Sequence, residues 1–293
     1  MISLQVLHFV RFFCLMRPPG PILVTHLFPR LDEELLPLLR SLAPDDWSRP
    51  TSCARWNVKD VAGHLLDTSL RRLSLHRDRY ASPDTPDIRS DRDLVDFINQ
   101  MNDLGVKAAR RLSPHLLVHF LESAGQQLSE FFRTLDPFAP AIFPVSWAGE
   151  SQSPNWFDIA REYTERWHHQ EQIREATGRP HLTGREFLFP VLDTFLRALP
   201  FAYRSTPAPD GTLVRVQITG LAGGDWFLLR EQSQWRLVFD VTGKPAAEVQ
   251  MPQDVAWKLC TKGLDHTSAE PRLRFTGSLE LGRPVLNLIC IVG

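Results

Sequence analysis

The stretch EYTERWHHQEQIREATGRP, residues 162–180, decides how the first half of the chain folds. It continues a segment of helical character that begins near Asn155. It ends in Gly-Arg-Pro, the kind of sequence at which helices stop, because proline cannot continue the helix. The pattern therefore predicts a helix over residues 155–177.

Helical spacing places Glu165 and His169 on one face of this helix, because residues four apart project in the same direction. Apolar side chains further along continue that face, which marks it as the inward one. His168 lines up instead with polar residues of the same helix, which are Arg161, Thr164 and Gln172. The helical phase therefore predicts that His169 faces the core and that His168 points outward.

A third candidate ligand lies in RPTSCARWNVKDVAGHLLD, residues 49–67. Asn57 has the character of an N-cap, and it predicts a helix that begins at the next residue. His64 falls on the flank of the apolar stripe of this helix. From there it can meet Glu165 and His169 across the core of a helical bundle.

Two imidazoles and a carboxylate with one open position are the ligands of catalytic zinc sites, at roughly 2.0–2.2 Å from the metal. Helical bundles commonly build such sites from facing helices. The set favours Zn²⁺, and Ni²⁺, Fe²⁺ and Mn²⁺ are also compatible with it. The spacing E-x-x-x-H is by itself a weak motif, so an alternative stays open. In that alternative His64 is a hydrogen-bonded core histidine, and Glu165 and His169 are a surface pair.

The rest of the chain divides into two parts by its hydrophobic periodicity. Apolar residues recur at helical spacing in four more segments of the first part, at about residues 26–42, 58–80, 94–111 and 114–135. After a further helix, the second part alternates with period two over residues 213–218, 226–229 and 235–239. We therefore predict a helical bundle over residues 21–182 and a smaller α+β domain over residues 183–293.

Composition and charge exclude several classes of partner. The chain has 33 basic and 34 acidic residues and a net charge of −1, so it lacks the positive surface that nucleic acids and anionic membranes attract. We expect no nucleic-acid or membrane partner. The four cysteines are far apart and form no CxxC pair, which is typical of reduced thiols in a cytoplasmic protein.

The first residues of the chain are apolar but lack the sequence pattern of a membrane anchor. The run is interrupted by Arg11, is too short to span a bilayer and has no small-residue cleavage site after it. We expect residues 1–20 to be a leader that is disordered or belongs to an over-long start of the sequence.

The two histidine-bearing segments resemble a known family. Residues 49–67 resemble the start of the second helix of the DinB-like superfamily, most closely in its mycothiol-dependent maleylpyruvate isomerase branch, and residues 162–180 are similar to that branch's later metal helix. The resemblance implies an all-α four-helix bundle in which His64, Glu165 and His169 bind the metal. It also implies a C-terminal domain related to sterol-carrier folds.

The resemblance further implies an enzyme that uses a divalent metal, most simply Zn²⁺, and a low-molecular-weight thiol such as mycothiol. A metal-coordinated thiol loses its proton and becomes a nucleophile at neutral pH. The expected reaction is isomerisation or S-transfer on a small electrophilic substrate. Two alternatives remain open: a metal- or ligand-binding protein without turnover, and a metal-dependent hydrolase that activates water. A homodimer is compatible with the sequence.

Other polar side chains are candidates for contacts with substrate. Asn99 and Asn102 lie one turn apart and are candidates to orient it, or else they belong to a solvated face. Arg166 and Arg174 have the chemistry to bind a carboxylate through two hydrogen bonds, although surface arginines are the ordinary interpretation.

Residues next to the proposed ligands have two interpretations each. Trp56 and Trp167 flank the ligands in sequence and either wall the pocket or simply pack in the core. Asp60 lies one turn before His64, where it either orients the imidazole or stabilises the first turn of the helix.

Overall fold

The computed structural model describes residues 17–80 and 89–291, which form two compact units. The helical unit consists of residues 23–80, 89–144 and 152–182, and the sheet unit of residues 17–22, 145–151 and 183–291. The first sixteen residues of the predicted leader lie outside the described residues. Within the described ranges, no helix is both long enough and apolar enough to cross a membrane.

The described part of the helical unit contains five long helices. These are α1 (Leu27–Arg40), α2 (Val58–Arg72), α3 (Asp91–Ala109), α4 (Pro114–Thr134) and α5 (Asn155–Thr177). A single π-helical turn, Leu73–Arg77, follows α2, which therefore ends earlier than the predicted helix to Tyr80. The predicted helical character of this half is confirmed.

The apolar stripes of these helices meet in one core. Helix α1 packs on α4 and α5, helix α2 packs on the same two helices, and α3 packs on α2. Side chains in the core include Leu35, Leu39, Val61, Leu65, Leu117, Leu121 and Ile173. Each such side chain contributes about 1.5–3 kcal/mol to stability when it is fully buried, so the core fixes how α2 and α5 face each other.

Close approach of α3 to α2 depends on small residues. A Cβ atom at Gly63 would lie 2.6 Å from the Cβ of Ala109, which is too near for any real side chain. A Cβ at Gly105 would meet the carboxylate of Asp67 at 2.2 Å from its Cγ. Glycine at these two positions therefore permits α3 to lie against the helix that carries His64.

The start of α2 is held by a reciprocal cap. The Asn57 side chain accepts a hydrogen bond from the backbone N–H of Asp60 at 2.9 Å, and the Asn57 N–H donates to the Asp60 carboxylate at 3.2 Å. Arg110 donates two further hydrogen bonds to that carboxylate, at 2.7 and 2.9 Å. Of the two interpretations of Asp60, the structure thus supports the one at the helix start.

Helix α5 differs from the others because it is buried nearly all round. Charged and amide side chains are buried along its length, among them Asp158, Glu162, Arg166, Glu171, Gln172 and Arg174. It ends at Gly178, whose φ of 64° is the left-handed conformation expected of a C-terminal glycine. Buried polar groups need hydrogen-bond partners, so this helix determines which side chains must lie around it.

The sheet unit is α+β, as predicted. Its helices are α6 (Arg185–Leu196), α7 (Leu199–Ala202), α8 (Gln253–Cys260), α9 (His266–Ala269) and α10 (Leu279–Gly282). Its strands are β1 (Leu213–Thr219), β2 (Gly224–Glu231), β3 (Gln234–Val238), β4 (Ala247–Pro252) and β5 (Arg274–Gly277). They form one sheet of order β3-β2-β1-β4-β5, in which β1 and β4 are parallel and the other neighbours antiparallel.

Strand β4 is one element that the sequence analysis missed. Its six residues, AEVQMP, alternate between buried and half-buried positions, but they include a glutamate, a glutamine and a proline. Pairing with β1 on one side and β5 on the other stabilises the strand conformation, which the local sequence does not indicate.

Replacement of Asn57 by alanine tests the cap of α2. We expect Asn57→Ala to lower the free energy of unfolding by about 1 kcal/mol, because the Asp60 N–H loses its acceptor, whereas Asn57→Ser keeps an acceptor and most of the stability. Urea unfolding of both variants measures the difference. Equal losses in the two variants would contradict this role of Asn57.

Candidate functional site

Side chains from α2 and α5 form the candidate site. The structure brings His64 of α2 next to His169 of α5, with ring centroids 4.6 Å apart and the rings edge to face. His169 Nε2 lies 3.6 Å from Glu165 Oε2, one turn earlier on the same helix. The Glu165 side chain keeps 29% of its surface exposed, while both histidines are buried, so the carboxylate lies on the accessible side of the group.

Of the two tryptophans considered, Trp56 contacts the imidazoles. Its ring centroid lies 4.7 Å from that of His64 and 6.2 Å from that of His169. Trp167 is fully buried, and its indole N–H donates to the Leu182 carbonyl at 3.0 Å. Trp56 therefore covers the histidines, and Trp167 ties α5 to the segment that follows it.

The prediction that His168 points outward is wrong. Its residue surface is only 7% exposed, as is that of Gln172 one turn further along. The helical phase was read correctly, but both faces of α5 are covered, so its polar face is not a solvent face. Gln172 lies between the two histidines: its Oε1 is 2.9 Å from His169 Nδ1, and its Nε2 is 3.1 Å from His168 Nε2.

Burial sets the protonation of the site. The pKa of His64 is lowered well below its usual value, mainly because burial disfavours the charged ring and secondarily because of His169 and Arg71. Burial lowers the pKa of His168 to about 3. The same effect raises the pKa of Glu165, against the opposing influence of His169. Neutral imidazole is the form that binds metals, so the state of His64 suits a ligand.

The donor atoms of His64, Glu165 and His169 determine whether a divalent metal fits this site. Within residues 17–80 and 89–291, no three or more His, Cys, Asp or Glu side chains are arranged as a ready-made metal site. His169 contacts both of the other two candidate side chains, His64 through the rings and Glu165 through Nε2. Yet His64 Nδ1 is buried without a hydrogen-bond partner, and the donor set of two imidazoles and a carboxylate is one that Zn²⁺ uses. The residues therefore fit the group in chemistry and proximity.

The interpretation of Arg166 as a surface arginine is wrong. It is buried, its Nη2 donates to the Ser69 hydroxyl, and its other nitrogens lie 3.9 Å from carboxylate oxygens of Asp32 and Glu162. These contacts commit most of its guanidinium to protein partners.

Arg174 is also buried, which contradicts the surface interpretation for this residue too. Its guanidinium donates to the Pro180 carbonyl at 2.8 Å and to Glu34 at 3.1 Å. Arg174 therefore links the C-terminal end of α5 to the loop that follows and to α1.

A buried ion network that the sequence analysis missed lies one turn from the candidate site. Asp158 is fully buried and accepts hydrogen bonds from Arg72 of α2 and from Arg161, the latter at 2.9 Å. Burial acts to raise the pKa of Asp158, but Arg161 and Arg72 hold it below its usual value. Arg161 in turn lies near enough to Glu165 to favour its ionised form. The spacing of Asp158 and Arg161 was the available sequence signal.

The two asparagines lie on α3. Asn102 is half-buried and accepts a hydrogen bond from Arg71 Nη2 at 2.7 Å. Arg71 is the residue whose charge helps to lower the pKa of His64. Asn99 is half-buried one turn earlier. A role of either amide in orienting a substrate remains a prediction.

The family is decided by a match over the helical unit. Residues 28–174, about half of the 293 residues, match the model of the mycothiol maleylpyruvate isomerase N-terminal domain. The chain belongs to this family. The three candidate ligands all lie within the matched range.

Solved structures add a more distant similarity. The crystal structure of the mycothiol-dependent maleylpyruvate isomerase is 12% identical to this member of the family, with a TM-score of 0.48, and covers 80% of this chain and 86% of that one. A mutant of the same isomerase gives 13% identity with the same TM-score and coverage. The UbiJ-SCP2 ubiquinone synthesis protein is 23% identical, with a TM-score of 0.23, over 33% of this chain and 85% of that one. None of the curated proteins matches the chain.

The buried state of His168 makes a prediction about acid stability. The unfolded chain binds a proton to this histidine below a pH of about 6.5, whereas the folded chain resists it until about pH 3, so stability is lost as the pH falls through this window. The expected contribution is about 1.4 kcal/mol per pH unit. His168→Gln should therefore flatten the fall in the free energy of unfolding measured by urea titration at several pH values. Equal slopes for the variant and the wild type would contradict the burial of a neutral His168.

Proposed function

We propose that this member of the family is a metal-dependent enzyme that uses a low-molecular-weight thiol, mycothiol or a close analogue, for isomerisation or S-transfer on a small electrophile. The observation that carries the proposal is the proximity of His64, Glu165 and His169 on two packed helices of this family's domain. No protein nucleophile is required, because the thiol supplies it.

The three side chains share one task in this proposal, which is to hold a metal. His64, Glu165 and His169 would hold a divalent cation, for which the donor set favours Zn²⁺ and admits Ni²⁺, Fe²⁺ or Mn²⁺. When bound, such a cation lowers the pKa of a coordinated thiol, so that a thiolate nucleophile is available at neutral pH. Burial keeps His64 in its neutral, ligating form.

Exposure supports a direction of approach for the thiol and the electrophile. Glu165 is the most exposed of the three side chains, whereas the Trp56 ring lies against His64 and shields it. Substrates would therefore reach the site from the side of Glu165. Asn102 accepts a hydrogen bond from Arg71, whose charge acts on His64, and we propose it before Asn99 as a residue that orients a bound group.

Metal binding by single-histidine variants tests the ligand set. We expect about one Zn²⁺ per chain in the wild type, and loss of that ion in His64→Ala and in His169→Ala, because each variant removes one of three donors. His115→Ala is the matched control, since His115 is exposed on α4. Elemental analysis after dialysis against a weak chelator gives the content. A wild type that takes up none of Zn²⁺, Ni²⁺, Fe²⁺ and Mn²⁺ would contradict the proposal.

Turnover needs a separate assay of the metal-loaded protein. With mycothiol as the thiol and maleylpyruvate as the first electrophile, thiol-dependent conversion that Glu165→Gln abolishes would support an isomerase or transferase. Conversion that proceeds without thiol would favour the hydrolase. A protein that binds Zn²⁺ and converts no electrophile in a panel of such substrates would favour a binding protein without turnover.

A further inference from the structure

Hydrogen bonds connect the candidate ligand His169 through Gln172 to His168. Its Nδ1 is 2.9 Å from Gln172 Oε1, and Gln172 Nε2 is 3.1 Å from His168 Nε2. All three residues are buried, with 7–8% of their surfaces exposed. At these depths each hydrogen bond is strong, and each lost bond leaves a costly unpaired group.

The amide of Gln172 gives these two hydrogen bonds a defined donor and a defined acceptor. An amide oxygen only accepts and an amide nitrogen only donates, whereas a neutral imidazole has one donor and one acceptor nitrogen. The observed orientation of Gln172 therefore requires that His169 carries its proton on Nδ1 and that His168 accepts through Nε2. Rotation of the amide by half a turn would reverse both assignments and place a proton on His169 Nε2, the atom that faces Glu165.

One further observation agrees with the first arrangement. The distance from His169 Nε2 to Glu165 Oε2 is 3.6 Å, longer than a charge-assisted hydrogen bond, which a protonated Nε2 beside a carboxylate would form. His169 Nε2 thus presents its lone pair on the side of Glu165.

We propose that Gln172, supported by His168, is the positioning residue that fixes the tautomer and the ring orientation of His169, so that Nε2 is free to bind the divalent cation. Outer partners of metal-binding histidines act in this way, and their loss weakens metal affinity by about 10–100-fold. The part of the proposal that concerns the cation rests on the proposed function. The part that concerns the tautomer does not.

The tautomer is measured without any metal. In protein labelled with ¹⁵N-histidine, long-range ¹H–¹⁵N correlation spectra distinguish Nδ1–H from Nε2–H rings, and the His169 signal is assigned by its loss in His169→Gln. We expect the Nδ1–H tautomer in the wild type. An Nε2–H ring at His169 in the wild type would overturn the proposal, whatever any variant does.

Three substitutions then separate orientation from packing. Gln172→Met keeps the volume but removes both hydrogen bonds, so His169 should become a mixture of tautomers and its Zn²⁺ affinity should fall by about 10–100-fold. Gln172→Glu keeps an acceptor for Nδ1–H and should retain the tautomer and bind Zn²⁺ at least as tightly as the wild type. Gln126→Met is the matched control on exposed surface of α4.

Titration with Zn²⁺ alone against a competing chelator gives the affinities, and thermal unfolding reports on folding. A Gln172→Met protein that keeps the wild-type tautomer and affinity would overturn the positioning role. If the wild type binds neither Zn²⁺ nor Ni²⁺, Fe²⁺ or Mn²⁺, the proposed function fails, and the spectra still decide the tautomer. If Gln172→Met does not fold, the wild-type spectrum and the Gln172→Glu affinity carry the test.

Discussion

The burial of a polar helix is the constraint on which the helical unit depends. Helix α5 carries charged or amide side chains on every side, and each of them must find a partner away from water. Asp158 takes arginines from α2 and from its own helix, and Arg174 binds Glu34 of α1. Glu171 accepts from His181 and from the backbone of Leu182. The neighbours of α5 are therefore selected by hydrogen bonding as well as by apolar packing.

The same burial produces the chemistry of the candidate site. Water around α5 would stabilise protonated histidines and an ionised Glu165, whereas its exclusion lowers the pKa of His64 and raises that of Glu165. A divalent cation bound beside the neutral imidazole would favour the ionised form of this carboxylate. The buried network at Asp158 anchors the helix two turns before Glu165: Asp158 lies between Arg72 and Arg161, and Arg161 also contacts Glu162. The packing of the helical unit and the protonation of the candidate side chains are thus both influenced by the exclusion of water from one helix.

Sequence patterns predicted those features that have a local signal. Apolar stripes located α1 to α4, and the Gly-Arg-Pro sequence located the end of α5. The Asn-x-x-Asp cap located the start of α2, and the four-residue spacing placed Glu165 and His169 on one face. The outward assignment of His168 was wrong because helical phase shows which residues share a face and not whether that face is covered. Gln172 was missed as a partner of both histidines, since the geometry of its amide depends on the tertiary environment. Strand β4 was missed for a similar reason, because its pairing partners lie far away in sequence.

A helix without an amphipathic pattern is usually expected to lie in solvent or to be unstable alone. In α5 the polar residues instead form a ladder of pairs three or four residues apart: Asp158 with Arg161, Glu162 with Arg166, Glu165 with His169, His168 with Gln172, and Glu171 with Arg174. Local pairs of this kind place a polar or charged partner near many of the buried side chains of α5, which lowers the cost of burying the helix. One step of the ladder, from His168 to Gln172, continues sideways to His169. Under the proposal above, a pairing that accompanies the burial of α5 also orients the candidate ligand His169.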